Sequence, residues 1–350
     1  MKRYLILATL LALAACQKTP NVYTLKAGDL TMSVTDFGAR VMTLTVPDRE
    51  GNIANIVIGH ETAAEYINPV GERFLGACVG PVANRIGAAQ FELDGVVYHT
   101  PVNDNGHNTL HGGFKGVDNL YWDVLALTDS SITFHLLHPD GLEGWPGNLD
   151  ITMTYALNGH NEFTITYSAF TDKPTPVNLT HHPFFCLRGD GKGSVEEYLM
   201  TINASHYIPI DAESIPTGEI APVEGTPFDF REPHFIGERI GFDDQQLINA
   251  RGYDHNWCID KTTDGVELVC RVEDPVSGRV VEVLSDQPGL QFYSGNFFTG
   301  DEYRTSLALE AQKYPDAVNH PDFTPVILIP GETYKHTCIY RFGVNPVRTR

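Results

Sequence analysis

The chain has 350 residues, 42% of them hydrophobic and 19% charged, which suits a globular body able to bury a large core and argues against disorder. Its formal net charge is −20, so phosphate backbones and anionic lipid surfaces repel it. Nucleic acid is thereby excluded as a natural partner, and a neutral or cationic ligand fits better.

Lys2 and Arg3 precede an apolar run from Tyr4 to Ala15, too short for a bilayer span of about 20 residues but suited to the apolar region of an export signal. The run ends in Leu13-Ala14-Ala15-Cys16, which resembles a bacterial lipobox. That resemblance implies removal of residues 1–15 as a signal peptide, diacylglycerol on the Cys16 thiol, and residues 16–24 as a lipidated tether to a membrane surface. Gln17, in place of an aspartate, implies the outer membrane and a periplasm-facing protein. An ordinary signal peptide with a cysteine beyond its cleavage site, or an uncleaved anchor, is the competing reading.

Beyond the leader the pattern is strand-like. Glu61 to Tyr66 is one of few helix candidates, and it is short. The stretch Phe91 to Tyr98 turns at Asp94-Gly95. Ile151, Met153 and Tyr155 alternate with Thr152 and Thr154, Asn158-Gly159 offers a turn, and Phe163, Ile165 and Tyr167 alternate with Thr164 and Thr166. This is the pattern of a β-hairpin. The stretches Val266 to Val272 and Val280 to Leu284 flank Pro275-Val276-Ser277-Gly278 in the same way. With 32 Gly and 22 Pro spread along the chain, residues 25–343 read as one body, an all-β, large, mostly antiparallel β-sandwich, with 344–350 as a tail. The cysteines at 78, 186, 258, 270 and 338 match no metal or redox spacing and read as small buried apolar residues; one disulfide is open to them in an oxidising compartment.

Six polar blocks stand out in order: Gly80-Pro81-Val82-Ala83-Asn84-Arg85-Ile86, Asn108-Thr109-Leu110-His111-Gly112-Gly113, Asn178-Leu179-Thr180-His181-His182, Gly252-Tyr253-Asp254-His255-Asn256, Gln291-Phe292-Tyr293-Ser294-Gly295-Asn296-Phe297 and Leu309-Glu310-Ala311-Gln312. Each alone reads as a turn or a strand end. Together they resemble, block by block, the aldose 1-epimerase (galactose mutarotase) family, and Pro315-Asp316-Ala317-Val318-Asn319-His320-Pro321 resembles its C-terminal pattern. The likeness runs from about Leu25 to Phe342.

The resemblance implies an isomerase that interconverts the α and β anomers of an aldohexose such as glucose or galactose. It makes Glu310 the base and His182 the acid, with Asn84, Arg85, His111, Asp254 and Gln291 holding the sugar. Opening and reclosing a cyclic hemiacetal needs only a matched acid and base, so no metal or redox cofactor is required. Histidine titrates near neutrality, and a glutamate is tuned upward by an apolar site; Phe184, Phe185, Trp257 and Tyr293 are candidates for its walls. A hexose carries hydroxyls and no charge, so Asn, Arg, His, Asp and Gln can read it by hydrogen bonds. Pro81 stands where the family often has arginine, His181 where it has asparagine, and Pro183-Phe184-Phe185 where it has Ser-Tyr-Phe, which leaves the sugar preference open. Three competing readings remain: a glycoside hydrolase using Asp254 and Glu310, a sugar-binding lipoprotein without turnover, and a metal site of His111, His181 and His182, for which no local spacing speaks.

Overall fold

The computed structural model describes residues 18–345. The alternating run around Ile151 forms strand Leu149–Leu157, its partner forms Glu162–Thr171, and the two pair antiparallel from Leu149↔Thr171 to Leu157↔Phe163. Along the first strand every odd-numbered residue is buried and every even one reaches solvent, because successive side chains leave opposite faces of a pleated strand. The other two expected hairpins are also present, Gln90–Leu93 with Val96–His99 and Glu267–Glu273 with Arg279–Ser285.

Two sheets make the sandwich. The larger has nine strands in the order Asp123–Leu127, Ser131–His138, Leu149–Leu157, Glu162–Thr171, Tyr334–Val344, Arg279–Ser285, Glu267–Glu273, Leu199–Ile202 and His234–Phe235. The smaller has five, in the order Ala221–Pro222, His206–Ile208, Asp254–Cys258, Gly289–Tyr293 and Ala308–Gln312. Ile165, Val283 and Tyr340 of the larger sheet and Trp257, Phe292 and Leu309 of the smaller are fully buried in one shared cluster. Removing that much apolar surface from water is the main stabilising term. The Tyr340 hydroxyl crosses the layer to donate to the Leu309 carbonyl at 2.9 Å, which satisfies a buried polar group. A four-stranded N-terminal sheet, from Val22–Ala27 to Ile53–Asn55, adds Leu25, Met32 and Leu44 to the same core.

The fold class is the expected one, while several local features differ. Val22–Thr24 pair with Ser33–Thr35, so the first strand takes up the end of the stretch expected to be tether. Cys16 and the leader lie outside the described residues. The helix expected at 61–66 is a 3₁₀ turn, Ala63–Tyr66, boxed by Thr62 and Glu65. An unexpected α-helix spans Gln245–Ala250, started by the Asp244 carboxylate, which accepts from the amides of Gln246 and Leu247; such a cap stabilises by about 1 kcal/mol. All five described cysteines are buried and free, so the disulfide open to them has not formed. Among the described residues no helix is long and apolar enough to cross a membrane.

Candidate active site

The site grows from the outer face of the five-stranded sheet. Asn256, Gln291 and Glu310 stand in one row across three adjacent strands, and Asp254, two residues before Asn256, shares their face. The intervening residues His255, Trp257, Leu290, Phe292 and Leu309 point the other way and are buried. One set of strands therefore supplies the core on one side and a polar floor on the other.

His182 reaches this floor from a separate strand, Thr180–His182, paired with Ala77–Val79. Two attachments lash it to the strand of Glu310. Thr180 Oγ1 donates to the Ala311 carbonyl at 2.7 Å. Asn178 exchanges a pair of bonds with Lys313, Nδ2 donating to its carbonyl at 3.1 Å and Oδ1 accepting from its amide at 2.9 Å. The outcome is a distance of 3.5 Å between His182 Nε2 and Glu310 Oε1, with both residues almost fully buried. The two groups stand side by side instead of facing each other across the cleft.

The second wall is built from the Asn84-Arg85 and His111 segments. Strand Arg85–Ile86 pairs with Thr109–Leu110, and at its edge Asn84 and His111 both adopt left-handed backbone, with φ of 63° and 50°. That conformation is uncommon for any residue but glycine. Reciprocal bonds hold it: the His111 amide donates to the Asn84 carbonyl at 2.9 Å, and the Asn84 amide donates to His111 Nδ1 at 3.1 Å. A backbone N–H can only donate, so Nδ1 is an acceptor and neutral His111 carries its proton on Nε2. A Cβ on the following Gly112 would lie 2.0 Å from the Gly80 carbonyl oxygen, so only glycine permits this approach. Asp316 completes the clamp, its amide donating to the Arg85 carbonyl at 3.1 Å and its Oδ1 accepting from the Gly87 amide at 3.2 Å.

Arg85 bridges two carboxylates, Nε donating to Asp104 Oδ2 at 3.0 Å and Nη1 lying 3.5 Å from Asp254 Oδ2. Gln291 Nε2 donates to Asp254 Oδ1 at 2.7 Å. Both oxygens of Asp254 are thus directed by protein partners, which suits a fixed acceptor for hydroxyl groups better than a free nucleophile.

These parts line one cleft that opens to solvent. Six of the seven residues expected to act on or hold a sugar line it: Asn84, Arg85, His111, His182, Asp254 and Glu310. Gln291 sits behind Asp254, in a small adjoining cavity with Asn84 and Asn256. The cleft also takes in Glu72, Phe74, Leu110, Tyr293 and Phe297. Of these, sequence reasoning picked out only Tyr293 for a wall; Glu72 and Phe74 come from an irregular stretch with no periodicity to flag them. Phe184 packs beside His182 with ring centroids 4.8 Å apart. Phe185 and Trp257, expected as walls, instead join the core cluster, because alternation turns them to the far face.

Burial dominates the electrostatics. It pushes His182 down to about 3, with nearby Arg40 acting in the same direction. Glu310 lies well above the ordinary carboxylate range, first through burial and then through the negative charge of Asp254, which outweigh the pull of Arg85. His111 is pushed well below the imidazole range by burial, then by His182 and Arg85. A low-dielectric site disfavours charge on either member of the His182–Glu310 pair.

His111, His182 and Glu310 each offer a ligand-type atom within 4.8 Å of the others. The proton that the Asn84 amide forces onto His111 Nε2 fills the lone pair a metal would need there, so this set fits hydrogen-bond donation better than coordination. The all-histidine set considered from the sequence does not assemble. His181 turns into the core, where its Nε2 donates to the Gly76 carbonyl at 3.1 Å and its ring meets Tyr155 and Phe163 edge-on.

Comparison with known proteins decides the family. Residues 21–341 match the family described as Aldose 1-epimerase. The chain belongs to the aldose 1-epimerase family. It is 40% identical over 331 residues to a galactose mutarotase from Rattus norvegicus, covering 92% of this chain and 94% of that one. It is 35% identical over 324 residues to an aldose 1-epimerase from Escherichia coli K12, covering 89% and 92%. Its fold matches the crystal structure of an aldose epimerase homologue from C. elegans with a TM-score of 0.85 at 27% identity, over 93% of this chain and 100% of that one. The chain is accordingly an enzyme of isomerase type. The blocks by which it resembles the aldose 1-epimerases are those that build the cleft: three supply the sheet floor, one the lashing at Asn178, and two the left-handed pair at Asn84 and His111.

Proposed function

We propose that the cleft interconverts the α and β anomers of a free aldohexose such as glucose or galactose, with Glu310 as base and His182 as acid. The observation that carries this is the 3.5 Å contact between His182 Nε2 and Glu310 Oε1. The hydroxyl oxygen and the ring oxygen of a hemiacetal are bonded to the same carbon, so the groups that serve them must themselves be neighbours.

The proton balance closes. Glu310, ionised, takes the proton from the C1 hydroxyl as protonated His182 gives one to the ring oxygen; the bond between C1 and the ring oxygen breaks and an aldehyde remains. The pair passes from an ion pair to two neutral groups, the form its buried surroundings favour. Rotation about the bond from C1 to C2 exposes the other face, and the reverse transfer closes the ring as the other anomer. His111 Nε2–H, fixed by the Asn84 amide, donates to oxygen that gathers negative charge on opening. Asn84, Arg85 and Asp254, with Gln291 behind them, hold the remaining hydroxyls. Polarimetry on freshly dissolved α-galactose and α-glucose tests the reading. A catalysed rate well above the spontaneous one is expected, and rotation that decays no faster with protein than without it would refute it.

The N-terminal pattern supports a cell-envelope setting. Lys2, Arg3, the apolar run to Ala15 and the lipobox-like Leu13-Ala14-Ala15-Cys16 favour a periplasm-facing lipoprotein held by lipid on Cys16, with Gln17 favouring the outer membrane. Metabolic labelling with a fatty-acid probe should mark the wild type and leave Cys16→Ser unmarked; equal labelling of both would remove this proposal.

A further inference from the structure

Glu72 stands on the wall of the cleft without a role in the proton transfer or in the network that orients Arg85 and Asp254. It follows the irregular stretch after Tyr66 and precedes Phe74, whose ring packs against His111 at 4.6 Å and His182 at 6.0 Å. Glu72 thereby shares the cleft wall with His182 and Glu310, the groups proposed to act at C1. Its Oε1 accepts from the Phe74 amide at 2.8 Å, which orients the carboxylate, and no side chain among the described residues donates to it.

The cations nearest in sequence and space attract Glu72 but direct their hydrogen bonds to other groups. Arg73 grips Asp118 with two bonds of 2.8 and 2.9 Å. Arg40 lies beneath, bonded to the carbonyls of Arg73, Leu75 and Asp118 and to the Asp118 carboxylate. Arg85, the one guanidinium among the described residues lining the cleft, is shared between Asp104 and Asp254. Burial holds the Glu72 carboxyl above its ordinary range against the pull of Arg40 and Arg73, and once ionised it acts on both Glu310 and Tyr293 in the same direction as Asp254. A neutral hexose does not need this anion, and an anion in a half-buried wall costs desolvation.

We propose that Glu72 sets the charge class of the sugar, making aldoses with an ammonium group near C1, such as 2-amino-2-deoxyhexoses, substrates of this cleft and disfavouring uronates and sugar phosphates. The inference rests on the mutarotase reading and adds a substrate class to it. One unit charge acting on another across a few ångströms of partly buried cleft changes relative rates by roughly tenfold or more.

The test is polarimetric kcat/KM for 2-amino-2-deoxygalactose, galactose, glucuronate and glucose, at a pH where the amine is protonated, on wild type and Glu72→Gln. The ratio of amino sugar to galactose is expected to be about tenfold higher in the wild type than in Glu72→Gln, and the ratio of glucuronate to glucose to move the opposite way. Ratios that agree within about twofold between the two proteins would overturn the proposal. Should Glu72→Gln fail to fold, the wild type alone decides: its ratio of amino sugar to galactose should fall as pH rises through the amine's own titration, and a flat ratio overturns the proposal. Absence of catalysis on galactose and glucose alike would instead refute the mutarotase activity itself, and this inference with it.

Discussion

Titrating the proton held between His182 and Glu310 tests the acid and base assignment most directly. Burial drives His182 down to about 3 and Glu310 well above 4.5. Below the first value the pair holds two protons, above the second it holds none, and between them it holds one. That single proton is either on His182, leaving Glu310 ionised, or on Glu310, leaving both neutral; the two forms differ by an internal transfer, so they share one pH dependence. Ring opening converts the first form into the second, so activity follows the one-proton population. Two exposed groups titrating at 6.5 and 4.5 would keep only about 9% of that population at pH 7.5. The buried pair should retain a larger share of its maximum kcat/KM there than such exposed groups would, and its acid limb should lie below the ordinary carboxylate range. The assay is polarimetry of α-galactose from pH 4 upward, with the spontaneous rate at each pH subtracted and folding checked by circular dichroism. A profile that falls through 6.5 on its alkaline side would refute the argument that burial holds the pair in its one-proton state.

The remaining expectations touch the site and its supports. Glu310→Gln and His182→Asn should each lower kcat by about 10²- to 10⁴-fold with an unchanged circular dichroism spectrum, and wild-type turnover in either would remove that residue from the mechanism. Asp254→Ala releases Gln291 and one partner of Arg85, so KM should rise more than kcat falls; a pure kcat defect would place Asp254 in the chemistry, and phenol released from aryl glycosides by the wild type would make the enzyme a hydrolase. Asp118→Asn leaves Arg40, which is fully buried, without its counter-charge, and denaturant melts should show a loss of about 3–5 kcal/mol; a loss under 1 kcal/mol would show that the carbonyls around Arg40 suffice. His138, His181, His255 and His336 are pushed down to between about 3 and about 4, chiefly by burial. They bind protons in the unfolded chain below 6.5 but not in the folded one, so stability should fall as pH drops from 6.5 towards 4, by up to about 2 kcal/mol per histidine at pH 5. Melting midpoints that do not change over that range would contradict their neutral burial.

How much of this was legible in the sequence follows from the same geometry. Strands that cover a core on one side announce themselves by alternation, and the hairpin at 149–171 could be read residue by residue. The floor of the site uses the same alternation, with Asp254, Asn256, Gln291 and Glu310 falling on the face opposite Trp257, Phe292 and Leu309. Single-strand patterns could not say which strands adjoin, so the convergence of His182 on Glu310 depends on the bonds from Thr180 and Asn178, which link segments distant in the chain. Alternation also requires that of two consecutive histidines on a strand only one faces the cleft. The buried bond from His181 to the Gly76 carbonyl shows that the other was recruited to satisfy a backbone acceptor in the core. Glu72 was invisible for the opposite reason: its segment has no regular structure, its carboxylate bonds locally, to an amide two residues away, and its charge acquires meaning only where the fold sets it on the wall of the cleft. Residues that build the catalytic floor are tied to the periodicity of the fold and can be read from it. A residue that selects among substrates is tied only to the shape of the cleft, so it must be found from coordinates.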